Sequence, residues 1–264
     1  MLNANYHTHT SRCRHASGEE EEYVQQAIQA GMNVLGFSDH TPYPFRGDYY
    51  SNFRMFPQEL SHYVQKLLFL KEKYQDKIQI LIGLEAEYYP QYFDDLLGLL
   101  APYPLDYLLL GQHFLHNEQD GDYSGAPHQK EEALACYVEQ VITGIHTGKF
   151  AYIAHPDLCG WEGEESVYIR QMTRLCQAAK GCNIPLEMNF LGCTEGRHYP
   201  SHRFFSIAGQ VGNQVIFGCD AHNPQSISNP KAFDICTRMQ QQYGLTRTEN
   251  IRLSLRDINK NGLE

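Results

Sequence analysis

Short apolar runs recur along this 264-residue chain, and nearly every one ends on a histidine or a carboxylate. Runs at 4–6, 34–37, 78–83, 106–110, 152–154, 185–188 and 215–217 read as strands. They deliver His7-Thr8-His9, Asp39-His40, Glu85, His113, His155, Asn189 and Asp220-Ala221-His222. Amphipathic stretches at 19–30, 57–74, 92–100, 130–147, 164–182, 202–211 and 230–243 read as helices between them. Acids fill the first turn of the earliest helix, Gly31 stops it, and Pro57 suits the first turn of the next. Apolar strands alternating with helices imply parallel βαβ units. No repeat, low-complexity tract or linker interrupts them. The expectation is one domain over 1–264, a seven-stranded (β/α)7 barrel with its site at the C-terminal mouth of the strands. The charged stretch 246–264 has no evident place in it.

Helix caps also gather at strand–helix junctions, but capping uses Ser, Thr, Asp and Asn rather than His. Seven histidines and three carboxylates at one mouth would instead make a multinuclear metal site, and such sites mostly hydrolyse phosphate esters. In an extended chain the side chains of His7 and His9 share a face, which suits chelation of one ion, and neutral imidazole suits zinc, iron and related metals. Asp220 and His222 repeat that spacing. His15 follows in a Cys/Arg-containing loop. Glu85 ends a very apolar strand, so a cation must partner it. Asp39 reads as a loop cap, an orienting partner of His40 or a proton acceptor, and Glu87 as a hydrogen-bond acceptor behind the ligands. His62, His116, His128, His146 and His202 lack this placement.

Composition narrows the function. A net charge of −10 disfavours nucleic acid, while bound metal would still attract a small anion. The eight cysteines form no C-x-x-C pair and are expected as reduced thiols. No apolar run reaches the ~18 residues of a membrane span. The start MLNANYHTHT lacks a signal-peptide pattern, so the expected address is cytoplasmic.

The motifs HTHTSRCRHA followed by EEYVQQAIQAG, then GFSDH, GLEAEY, LGQHF, AHPD, EMNF and GCDAH, resemble together the PHP (polymerase and histidinol phosphatase) superfamily. The likeness runs over essentially the whole chain and is strongest to its histidinol-phosphate phosphatases. It implies a distorted seven-stranded (β/α)7 TIM-like barrel of PHP type and three divalent metal ions (Zn, Fe or Mn). His7, His9, Glu85 and Asp220 would hold one. Glu85 would bridge to a second, completed by His113 and His155. His15, His40 and His222 would hold the third. The resemblance further implies attack of a metal-bridging hydroxide on L-histidinol phosphate in histidine biosynthesis. Asp39 and His222 are the protein's candidate catalytic groups, beside a third ion or a water that could also serve the leaving alkoxide. Arg197 is the first candidate for the phosphate, with His198 and Arg14 behind it; Glu187, Asn189 or Glu162 could receive the ammonium and imidazole. The alternative is a PHP phosphoesterase acting on nucleotides or another small phosphate ester. The expected partner is a small phosphorylated substrate, with no nucleic acid and no membrane, for a monomer or homodimer.

Overall fold

A computed structural model describes residues 2–255. Eight parallel strands form one curled sheet in strictly sequential order: β1 (Ala4–Asn5), β2 (Val34–Phe37), β3 (Gln79–Ala86), β4 (Tyr107–Leu110), β5 (Phe150–Ile153), β6 (Leu186–Asn189), β7 (Gln214–Gly218) and β8 (Thr246–Arg247). Helices α1 (Glu20–Gln29), α2 (Leu60–Lys73), α3 (Phe93–Leu100), α4 (Glu131–His146) and α5 (Glu165–Gly181) follow the first five strands in turn. Both α6 (Phe190–Glu195) and α7 (His202–Val211) follow β6, and α8 (Pro230–Gln242) follows β7. The architecture is the barrel that the alternation implies, distorted as the resemblance implies.

The strand count is corrected from seven to eight. The ring closes at its mouth between the ends of the first and seventh strands: His9 N–H donates to Ala221 O at 2.9 Å and Ala221 N–H to His7 O at 3.2 Å. The added β8 pairs only with the base of β7, through Gln214 and Val215. Two residues of Thr-Arg carry no readable apolar period, which is why the C-terminal stretch had no place. Residues 256–264 of that stretch lie outside the described residues. Helix α6 is a second addition. Asn189 Oδ1 accepts the Gly192 N–H at 2.9 Å and caps it, so the residue read as a strand-end contact starts a helix at once.

Alternation along the strands makes two cores. Side chains pointing out of the ring pack against the helices; α4 buries Leu134, Tyr137, Val138, Val141 and Ile145, one stripe at helical spacing. Each such burial contributes about 1.5–3 kcal/mol. Side chains pointing inward form a smaller plug of Ala4, Tyr6, Leu81, Tyr107, Leu109, Ala151, Tyr152, Ala154 and Ile216. The Tyr107 hydroxyl donates to Tyr6 O at 2.7 Å. The plug seals the barrel below and leaves the mouth to the polar residues.

Candidate metal centre and its cavity

Strand geometry brings all nine expected ligand residues to the mouth. His7 and His9 are wholly buried, with ring centroids 5.1 Å apart. Glu85 projects between opposite walls. Its Oε2 lies 3.5 Å from Nε2 of both His7 and His9, and 3.1 Å from His40 Nδ1. Its Oε1 lies 2.9 Å from His155 Nε2 and 3.7 Å from His113 Nε2. Asp220 Oδ1 lies 3.1 Å from His9 Nε2 and 3.5 Å from His7 Nε2. At the rim, His222 Nε2 meets His15 Nε2 at 2.9 Å, and the His222 ring stacks on His9 at 4.1 Å between centroids.

The backbone gives way to make this possible. His155 and Asp220 sit at φ +29° and +49°, in the left-handed region that L-residues enter at a cost, typical of functional sites. Gly111 leaves the space that Glu85 fills: a Cβ there would stand 1.9 Å from Glu85 Oε1. Gly111→Ala is therefore expected to displace the Glu85 carboxylate, reduce bound metal and cost about 1–3 kcal/mol. Metal content beside thermal melting checks this; unchanged metal content counts against it.

Do these residues fit metal ions? Buried atoms with no hydrogen-bond partner include His7 Nε2, His9 Nδ1 and Nε2, His40 Nδ1, Glu85 Oε2 and Asp220 Oδ1. Buried polar atoms are rarely left so, and most of these face one another across a few ångströms. His7, His9 and Asp220 form one group of donors within 4.8 Å of each other; His7, Glu85 and His155 form another; His9, His40 and His222 a third. Imidazole with carboxylate is a donor set for zinc, iron or manganese. The residues fit.

The electrostatics of two histidines and both carboxylates agree with that use. Burial, and then the charge of His9, holds His40 well below the ordinary histidine range and pushes His222 down to about 3. Both rings are therefore neutral near pH 7 and carry a free lone pair. Burial would raise Glu85 and Asp220, but the surrounding histidines outweigh it and keep both ionised.

Behind the ligands lies a layer of carboxylates. Glu187, fully buried, accepts from His7 Nδ1 at 2.8 Å, the His155 N–H at 2.9 Å and Asn189 Nδ2 at 2.9 Å. Glu87 accepts from His113 Nδ1 at 2.9 Å. Such partners set an imidazole's tautomer and orientation. Glu187 and Asn189 are thus corrected from substrate contacts to supports of the cluster. Asp39 is also buried beneath it: Oδ2 bonds the Thr10 hydroxyl, and Oδ1 accepts the His40 N–H at 2.8 Å and faces His9 Nδ1 at 3.5 Å. With no exposed surface, Asp39 is placed to hold His9 and not to reach a leaving group.

Above the cluster opens a cavity of about 410 Å³. One wall is aromatic, with Phe53 stacked on Phe114 at 5.7 Å and Tyr123 edge-on to Phe114 at 5.8 Å. Arg197 also lines it, its guanidinium held by Glu195 Oε2 at 2.6 Å and the Tyr199 hydroxyl at 2.9 Å. Three further expected substrate residues do not line this cavity. His198 bonds Leu158 O at 2.7 Å and faces a neighbouring cleft, which Glu162 also lines. Arg14 pairs with Glu59 at 2.5 Å and covers the Phe56 ring.

Residues 5–190 match the PHP domain model, and the chain belongs to the PHP domain family. Asp220 and His222 lie beyond that segment and join it through the geometry above. Among similar proteins is a probable histidinol-phosphatase of Deinococcus radiodurans, 26% identical over 241 residues, covering 84% of this chain and 86% of the relative. A histidinol-phosphatase of Bacillus subtilis is 26% identical over 248 residues, covering 82% and 92%. A crystal structure of histidinol phosphate phosphatase from Lactococcus lactis, complexed with zinc, L-histidinol and phosphate, shares the fold with a TM-score of 0.72 at 18% identity, covering 95% of this chain and 99% of that one. No helix among the described residues is long and apolar enough to cross a membrane.

Proposed function

We propose that this chain is a metal-dependent phosphomonoesterase that hydrolyses L-histidinol phosphate to L-histidinol and phosphate. The observation that carries the reading is the convergence of unpartnered buried donors from His7, His9, His40, Glu85 and Asp220 on the floor of an open cavity. The names of the relatives support the substrate. Three divalent ions are proposed, in the grouping His7, His9, Glu85 and Asp220; Glu85, His113 and His155; and His15, His40 and His222. When bound, they supply Lewis acidity that offsets charge on the phosphoryl oxygens and acidifies water.

The remaining work falls to side chains. Glu187, Glu87 and Asp39 hold His7, His113 and His9 so that their other ring nitrogens face inward. Arg197, braced by Glu195 and Tyr199, receives the phosphate with two parallel N–H donors. His222 reaches the cavity as a neutral ring, the form that can hold an ion. Phe53, Phe114 and Tyr123 exclude water and offer flat faces to a heteroaromatic ring.

The test is phosphate release from L-histidinol phosphate beside nucleoside monophosphates and p-nitrophenyl phosphate, on Mn- or Zn-loaded protein. A strong preference for histidinol phosphate is expected. Arg197→Met should raise KM about tenfold to a hundredfold, the value of a charge-assisted hydrogen bond of roughly 1.5–3 kcal/mol. Indiscriminate slow release would overturn the substrate, and an unchanged KM would remove Arg197 from phosphate binding.

A further inference from the structure

The loop between β2 and α2 buries a full positive charge. Arg54 is 2% exposed, in a stretch whose neighbours Phe53, Met55 and Phe56 are apolar. Its guanidinium grips the Glu87 carboxylate with both ends, Nη2 to Oε1 at 2.9 Å and Nη1 to Oε2 at 3.2 Å. The same group binds Glu118, from the mouth loop between β4 and α4 that also carries Phe114 and Tyr123, through Nε at 2.8 Å and Nη2 at 2.6 Å. A further bond goes to Thr41 O at 2.9 Å. The Phe53 ring lies under the guanidinium, 4.4 Å from its centre, and also meets His40 edge-on at 5.1 Å.

Stability alone is a poor reason for this arrangement. A buried ion pair is often no better than an apolar replacement of the same volume, because desolvation consumes the Coulombic gain. What such a cluster fixes is geometry. Glu87 Oε1 accepts at once from Arg54 Nη2 and from His113 Nδ1, each at 2.9 Å. The guanidinium fork therefore sets the plane of the carboxylate that sets the tilt of the imidazole. The far side of that ring, His113 Nε2, points at Glu85 Oε1.

We propose that Arg54 is a positioning residue: through Glu87 it aligns His113 for a metal ion, and through Glu118 and Phe53 it ties both mouth loops to that alignment. This rests on the reading that the mouth holds metal, and it does not depend on which phosphate ester is the substrate.

The experiment is a Co²⁺ titration of metal-stripped protein, followed by visible absorption and by total bound metal, with thermal melting alongside. Arg54→Met is expected to weaken one class of bound ion tenfold to a hundredfold, the usual effect of losing a partner behind a ligand, while the remaining ions bind as before. Glu87→Gln should give the same pattern, and the double variant should be no worse than Glu87→Gln alone, since both act through one chain of contacts. If Arg54→Met fails to fold, Arg54→Lys keeps the charge without the fork and should weaken the same class of ion. Variants that bind every ion with unchanged affinity and only melt earlier would overturn the proposal, as would additive effects of Arg54→Met and Glu87→Gln. Wild-type protein that binds no ion would overturn the metal reading with it. A normal titration without activity on histidinol phosphate would sink only the substrate.

Discussion

Glu85→Gln is expected to lower kcat on the preferred phosphate ester by roughly 10³-fold, the equivalent of about 4 kcal/mol of lost transition-state stabilisation. The shape of the side chain is kept, so the effect isolates charge. Glu85 presents a carboxylate oxygen to each half of the cluster: Oε2 faces His7, His9 and His40, and Oε1 faces His113 and His155. An amide presents only one acceptor there, and its NH2 group would point at ring nitrogens or at a cation. The loss should therefore appear in bound metal as well as in rate, with at least one ion released on dialysis. Metal analysis and steady-state kinetics on the same sample check this. A variant that keeps all its metal and most of its kcat would remove Glu85 from the centre of the site.

What the sequence could show follows from where each signal lies. His7-Thr8-His9 and Asp220-Ala221-His222 are local patterns, because a period of two puts both members on one face. Their position after apolar runs also marks the mouth, since a strand's direction decides which end its last residue reaches. Glu85 stood out because a charge in IQILIGLEAEY needs a partner. Arg54 was missed although it lies in the equally apolar FRMF, since its partners are 33 and 64 residues away and no local period links them. Glu187 was noticed and misplaced. Sequence shows that a carboxylate ends a strand, but whether it faces the ligand or stands behind it depends on depth. Here depth is set by Gly218, where a Cβ would stand 1.8 Å from Glu187 Oε1. The rim contacts were the least legible: His198 and Arg197 are adjacent, yet one turns to Leu158 and the other to the cavity, a choice made by loop packing.

Stripping the metal should produce the second large effect, a fall in melting temperature of at least about 10 °C that re-addition of Zn²⁺ or Mn²⁺ reverses. An ion at a thousand times its dissociation constant stabilises the folded state by about 4 kcal/mol, and more than one ion is proposed here. In a chain of this size each kcal/mol moves the melting point by roughly 2 °C or more. The pH dependence carries a sign that tests the cause. Burial would lower His9, but the carboxylates of Asp220 and Asp39 facing its ring outweigh that and raise it to about 9 in the metal-free cluster. A raised histidine stabilises the folded state fully below its unfolded value near 6.5, and that contribution is lost as pH climbs through 9. His222, depressed to about 3 by burial and then by His9, works the other way: its contribution is present above 6.5 and is lost as pH falls towards 3. Stripped protein should therefore be most stable near pH 6.5. Metal needs neutral imidazole, so its own contribution grows as protons leave. The gap in melting temperature between loaded and stripped protein should widen from pH 6.5 to pH 9. A gap that narrows over that range would mean that the buried histidines do not exchange protons for metal.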